Sequence, residues 1–527
     1  MTAGGISPAE LHEALCAGGE LALLDLREQG VFGRSHILLA NNLPLSRLEL
    51  GIRDLVPRPA TPLVLCDDGE GLAERAAPKL AAAGYGDVRI LDGGVAAWGA
   101  AGYQLYSGIN VPSKAFGEVI EHRCGTPNLS AEALKARVDA GEDLVILDSR
   151  PLDEFRAMSI PGGVDTPGAE LVYRVRDLAP DPETLVVVNC AGRTRSIIGA
   201  QSLINAGLPN RVMALRNGTM GWHLAGFGLE HGAERRYGPV SDAALSWARA
   251  AAARVGERFG VRRIGSAQLE TWRAEAEART LYLLDVRDPE EYAAGHLPGS
   301  LSAPGGQLVQ ATDRWIAVRA ARIVLVDDSG VRATMTASWL RQMGFAEVAV
   351  LEGGLEDAGL ESGPGGAPVP ELAVGLETVS PQDLQPLPDG WLLLDLGNSL
   401  AHRRGHVPGA VWAIRSRLDE AERALAGRRK LVFTSEDGRL ARLGAAEFAA
   451  RWPVAALEGG TAAWAAADLR LAEGMEGALH PEEDVYHRPY DRQSGIEAAM
   501  QGYLDWEVAL TEQLARDATL RFPEFPE

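Results

Sequence analysis

The sequence predicts an α/β protein of tandem repeats, each a mostly parallel sheet with helices on both faces. Three observations carry this. An apolar run ending in Asp occurs four times, at Asp25, Asp148, Asp285 and Asp395. A second apolar run follows each of these at a near-constant distance and breaks into a polar loop. Between and after the runs lie amphipathic stretches and glycine turns, so strands and helices alternate. Repetition at this period is the sequence signature of one unit copied several times.

The first runs read LALLD, LVILD, LYLLD and WLLLD. Short and continuously apolar, they suit strands buried on both faces of a parallel sheet. Arg27, Arg150 and Arg287 stand two residues after the Asp in three copies, and Gly397 stands there in the fourth. A turn motif follows: HILLA from His36, SIPGG from Ser159, HLPGS from His296 and HVPGA from His406. Pro-Gly is turn chemistry, because Pro fixes one dihedral and Gly permits a positive one. The next runs end at LVLCDDGEG, VVVNCAGRTRS, IVLVDDSGVR and VFTSEDGRL. Their first loop positions read as Cys66, Cys190, Asp327 and Ser435, at 41, 42, 42 and 40 residues from the preceding strand Asp. A helical stretch comes next, which Gly84, Gly207 and Gly344 are placed to end. Each copy closes on a strand and a glycine turn, with Trp98, Trp222 and Trp464 expected in the cores.

These limits divide the chain into domains at 5–107, 127–230, 262–362 and 376–473. An Ala- and Arg-rich helical linker is expected at 241–259, and a flexible Gly/Pro link at 363–370. A tail at 480–527 is helical from Ile496 to Leu520 and packs on a domain or on a second copy of the chain, as in a homodimer. The length of 527 residues fits three to five domains at roughly 100–200 residues each.

The net charge of −21, from 51 basic and 72 acidic residues, argues against a nucleic-acid or anionic-membrane surface. An anionic substrate would need a local basic pocket. No run approaches the ~18 apolar residues that span a bilayer, and the first residues lack the pattern of a secretory signal. Four cysteines, at 16, 66, 124 and 190, form no disulfide framework and no metal-ligand spacing. The expectation is a cytoplasmic protein with free thiols and neither metal nor organic cofactor.

The LxDxR strand end, HIPGA-like turn, loop cysteine and LxGG-like closing turn together resemble the rhodanese family, over all four repeats. The resemblance implies domains of about a hundred residues around five-stranded sheets. It implies that a loop cysteine takes sulfane sulfur from thiosulfate or 3-mercaptopyruvate and holds it as a persulfide. A thiol or cyanide then receives the sulfur, thioredoxin-like dithiols included. It also makes Asp148 and Arg150 a supporting pair under the loop.

Cys190 is the expected nucleophile. It ends a strand and is followed by Ala191, Gly192, Arg193, Thr194, Arg195 and Ser196, then a helix. A tight loop before a helix N-terminus directs N–H groups and positive potential inward, which favours a thiolate and a bound anion. Arg193 and Arg195 are expected to hold the donor, with Thr194 and Ser196 donating further hydrogen bonds. Cys66 and Cys124 are secondary thiol candidates. Cys66 is followed by Asp67, Asp68 and Glu70, which oppose ionisation. Cys124 sits in a connector beside His122 and Arg123. Domains three and four lack a cysteine and are expected to be silent. Two other classes compete. A cysteine phosphatase or arsenate reductase would carry Arg six positions after Cys, where this chain has Ser196. A non-catalytic scaffold or sulfur-carrier partner would keep the fold without the chemistry.

Overall fold

The computed structural model describes residues 4–355, 359–366 and 375–526. Residues 356–358 of the third expected domain, 367–370 of the Gly/Pro link and 527 of the tail lie outside the described residues. Four five-stranded sheets succeed one another along the chain. In each, the unit's strands lie in the order first, fifth, fourth, second, third, and every pairing is parallel. The four tandem α/β domains read from the repeats are therefore present.

The second domain shows how composition makes the unit. Its fourth strand, Leu185–Asn189, lies between Leu144–Asp148 and Val212–Leu215. Val186, Val187 and Val188 are fully buried, their side chains alternating between helices on the two faces. Full burial of such a side chain stabilises by about 1.5–3 kcal/mol. Trp98, Trp222 and Trp464 are buried in their domains, as their place after the closing turn suggested.

The Asp at the end of the second strand anchors a repeated ion pair. Arg150 grips both oxygens of Asp148 at 2.8 Å and donates to the Met158 carbonyl. Arg27 with Asp25 and Arg287 with Asp285 repeat the pattern. In the fourth domain, where Gly397 replaces Arg, His402 takes over, its Nδ1 lying 2.7 Å from Asp395. The turn histidines His36, His296 and His406 each place Nδ1 near the carbonyl four residues earlier. Each also bridges its domain's final segment, as Ser159 does in the second domain.

Domains two and three meet through matched contacts. Arg195 of the second reaches Gln307 of the third, and Arg332 of the third reaches Glu170 of the second. These pairs occupy equivalent places, so the two domains present like surfaces to each other. The helix Asp242–Arg258, capped by Ser241, packs across both. Domains one and four join through Arg415, which binds Glu49, and through Ser416, which donates to Glu28.

The final helix runs Ile496–Ala515, ending before the expected Leu520. It packs on this same chain, against the connector helix Val111–Cys124 and the second domain's helix Gly218–Leu224. Leu520 and Phe522 continue the packing without helix, Phe522 lying 5.0 Å from the Phe116 ring.

Both members of the Asp148–Arg150 pair are about 1% exposed. Removing one partner leaves an uncompensated buried charge. Arg150→Met is therefore expected to destabilise by about 3–5 kcal/mol in denaturant unfolding, and adding Asp148→Asn to recover part of that loss.

Candidate active site

Strand register decides which side chain heads each loop. Asp148 pairs with Asn189, Asp25 with Cys66, Asp285 with Val326 and Asp395 with Thr434. Cys66 therefore corresponds to Asn189, and the loop positions are Asp67, Cys190, Asp327 and Ser435. The closing glycines agree. A Cβ on Gly94, Gly218, Gly354 or Gly460 would fall within 2.3 Å of the carbonyl oxygen of Asp67, Cys190, Asp327 or Ser435 respectively. All four have positive φ, so only glycine lets the closing turn approach this carbonyl. The alignment of Cys66 with Cys190 is thus corrected by one residue. Cys is apolar enough to extend the strand of domain one, which hid the boundary. Asp67 restores the spacing of 42 residues found in domains two and three.

Cys190 is 2% exposed. Its carbonyl accepts from the Thr219 N–H at 2.8 Å and from the Thr219 hydroxyl at 3.0 Å. Asn189 donates to both Asp148 Oδ2 and Thr219 Oγ1, at 2.8 and 3.1 Å. The Arg150–Asp148 pair thus reaches the Cys190 backbone through two further side chains. Cys190 Sγ lies 3.5 Å from the Ser196 hydroxyl, which itself donates to the Arg193 carbonyl at 2.8 Å. The helix Thr194–Asn205 begins directly beyond.

The sister loops reveal what this geometry holds. Asp327 accepts from the N–H groups of Gly330 and Arg332 at 2.7 and 2.9 Å. Asp67 accepts from Gly69 and Ala73, both at 2.9 Å. In these two domains a carboxylate of the chain occupies the cradle, the behaviour of an anion site at a helix N-terminus. In domain two the sulfur of Cys190 heads that cradle.

The loop arginines differ from the expectation of two open cations. Arg193 is bound by both oxygens of Glu118 at 2.7 Å, by Glu121 and by Asn217. Arg195 is bound by both oxygens of Glu154, at 3.1 and 2.7 Å, and by Gln307 at 3.0 Å. The Thr194 hydroxyl donates to Glu507 at 3.3 Å. These partners come from the connector helix, the second domain's own helix, domain three and the tail, where repeat comparison could not place them. Burial opposes ionisation of Glu154, yet Arg195 and then Arg488 hold its carboxyl down at about 2. Ala191 contributes backbone, its carbonyl accepting from Met220. A Cβ on Gly192 would lie 2.9 Å from Met220 and 3.0 Å from Glu507 Oε2.

The tail supplies what sequence reasoning missed. A narrow cleft over Cys190 is walled by Lys114 and Met220, and by Tyr486, Arg488, Tyr490 and Tyr503 of the tail. The only signal was the aromatic and basic run YHRPYDR, which has no counterpart in the repeats.

The other thiols lie elsewhere. Cys66 is fully buried, and burial with the neighbouring Asp25 pushes its thiol well up. Cys124 is exposed at the end of the connector helix, ten residues beyond Lys114, or about 15 Å along the axis. Cys16 is exposed on the first helix. Among the described residues no group of three or more His, Cys, Asp or Glu could hold a metal, and no helix is long and apolar enough to cross a membrane. An alkylating reagent is expected to modify Cys16 and Cys124 in the native protein and Cys66 only after denaturation, as read by peptide mass mapping.

The model of the rhodanese-like domain matches residues 7–101, 130–225, 267–359 and 380–467. The crystal structure of a thiosulfate sulfurtransferase from Pseudomonas aeruginosa superposes with a TM-score of 0.94 at 51% identity, covering 99% of this chain and 100% of that one. A putative sulfur carrier protein of Bacillus subtilis is 31% identical over 102 residues, 19% of this chain and 54% of the relative. An HTH-type transcriptional regulator of Mycobacterium tuberculosis is 33% identical over 108 residues, 20% of this chain and 46% of the relative. The chain spans about half the length of these two curated relatives. Four family matches, four sheets of one topology and a loop cysteine at a helix N-terminus lead to one conclusion: the chain belongs to the rhodanese family, with four rhodanese-like domains in tandem.

Proposed function

We propose that this protein is a sulfurtransferase that carries sulfane sulfur as a persulfide on Cys190. The observation that carries the reading is the cradle at the end of Leu185–Asn189, with Cys190 where Asp67 and Asp327 place carboxylates. The likeness over the whole chain to a thiosulfate sulfurtransferase supports it.

The Cys190 thiolate attacks the outer sulfur of a small anionic donor such as thiosulfate. A new S–S bond forms, the donor's S–S bond breaks, and sulfite leaves with the electron pair. With 3-mercaptopyruvate the C–S bond breaks instead, and pyruvate takes up a proton. The backbone N–H groups of the loop and the helix N-terminus stabilise the charge on the bound sulfur. A thiolate or cyanide acceptor then attacks the outer sulfur of the persulfide, and Cys190 leaves as thiolate. The narrow cleft favours a small acceptor. A thioredoxin-like dithiol would require the tail segment to move aside. Four free cysteines are consistent with residence in a reducing cytoplasm.

Domains one, three and four present Asp67, Asp327 and Ser435 at the loop head and form no persulfide. Thiocyanate production from thiosulfate and cyanide tests the reading. Cys190→Ser is expected to lower the rate by at least ~10³, since the nucleophile is lost. Cys66→Ala is expected to leave it unchanged. Intact mass after donor treatment should show one added sulfur in the parent and none in Cys190→Ser. Hydrolysis of an aryl phosphate that depends on Cys190 would contradict the reading, and a complete lack of adduct would favour a scaffold.

A further inference from the structure

We propose that Arg488, carried by the C-terminal segment, binds the anionic group of the sulfur donor at the Cys190 cleft. The inference deepens the sulfurtransferase reading and rests on it. Four cationic side chains line the cleft among the described residues: Lys114, Arg193, Arg195 and Arg488. Three have a carboxylate within hydrogen-bond distance. Lys114 meets Glu507 at 2.9 Å, Arg193 is gripped by Glu118, and Arg195 by Glu154.

Arg488 differs. Its nearest carboxylate oxygen, on Glu154, stands at 3.7 Å, and that carboxylate is already bidentate with Arg195. Its side-chain hydrogen bond goes to the neutral Tyr490 hydroxyl at 3.1 Å. Arg195 and Arg488 thus face the same carboxylate, and the Arg488 guanidinium is left with no carboxylate of its own within hydrogen-bond distance.

A guanidinium has five N–H donors in a planar fork, suited to the oxygens of a sulfonate or carboxylate. The Arg488 side chain is 47% exposed while Cys190 is 2% exposed. This arrangement places the cation toward the mouth of the cleft and the nucleophile at its floor. A small donor can then bind by its anionic end with its transferable sulfur pointing inward. The backbone is fixed for this task, because the Arg488 N–H donates to Asp491 at 2.9 Å and Pro489 follows directly.

Calorimetric titration of thiosulfate into the full chain carrying Cys190→Ser, which cannot turn over, isolates binding from chemistry. Adding Arg488→Ala is expected to weaken binding at least about tenfold, the effect of losing a charge-assisted hydrogen bond, with Arg488→Lys intermediate. Equal affinity in all three proteins, or no thiosulfate binding to the parent, overturns the assignment. With Cys190 intact, Arg488→Ala should raise the KM for thiosulfate and leave unchanged the rate at which Cys190 attacks the central sulfur of a neutral dialkyl trisulfide, forming a mixed trisulfide and releasing an alkanethiolate. An equal loss with both donors would mark a general structural role and also overturn it. Failure of Cys190 to form a persulfide with any donor would sink the sulfurtransferase reading instead, and the titration would still decide the role of Arg488.

Discussion

The register between the second and fourth strands of each domain governs what that domain can do. Once Asp148 pairs with Asn189, the following residue must leave the sheet and begin the loop. The closing glycine turn then fixes that residue by its carbonyl, and the helix N-terminus faces its side chain. The backbone frame of strand end, closing glycine and helix N-terminus recurs in all four domains, while the side chain at its head differs. In domain two it is a thiol. In domains one and three it is a carboxylate that satisfies the loop's N–H groups from within. In domain four it is Ser435, which accepts a single weaker bond from Ala441 at 3.3 Å. A domain whose cradle is filled by its own carboxylate keeps the fold and has no room for an external anion.

Charge balance is the second constraint. A buried arginine without a partner costs several kcal/mol, so Arg193 and Arg195 are each neutralised by carboxylates. Those carboxylates hold the loop to the connector helix and to the second domain's helix Leu152–Ala157, and the Gln307 amide oxygen ties Arg195 to domain three. The two arginines thereby brace the loop more than they advertise charge. The helix Thr194–Asn205 begins at the cleft, and the tail brings Arg488 to its wall. Domain three has a physical task in this arrangement, since its Gln307 accepts a hydrogen bond from Arg195.

Much of the architecture was legible because strands buried on both faces read as unbroken apolar runs, and Asp at their ends gave a common origin for counting. The Cys190 loop was legible for the same reason, being a thiol, glycine and two arginines at a strand end. The strand end at Cys66 is hidden because a buried cysteine is indistinguishable from an aliphatic residue in an apolar run; counting 42 residues from Asp25 points to Asp67. The partners of Arg193 and Arg195 were not legible. Glu118, Glu121 and Glu154 are ordinary helix carboxylates until the fold brings them together. Arg488 and Tyr490 lie some 300 residues beyond Cys190 in a segment without internal repeat, so periodicity carried no information about them.

The central claim is that four folds of one kind hold one working site. The most direct measurement is the amount of cyanide-releasable sulfur bound per chain after saturation with thiosulfate and removal of excess donor. The account predicts one sulfur per chain, and none in Cys190→Ser. Two per chain, or one retained in Cys190→Ser, would contradict it.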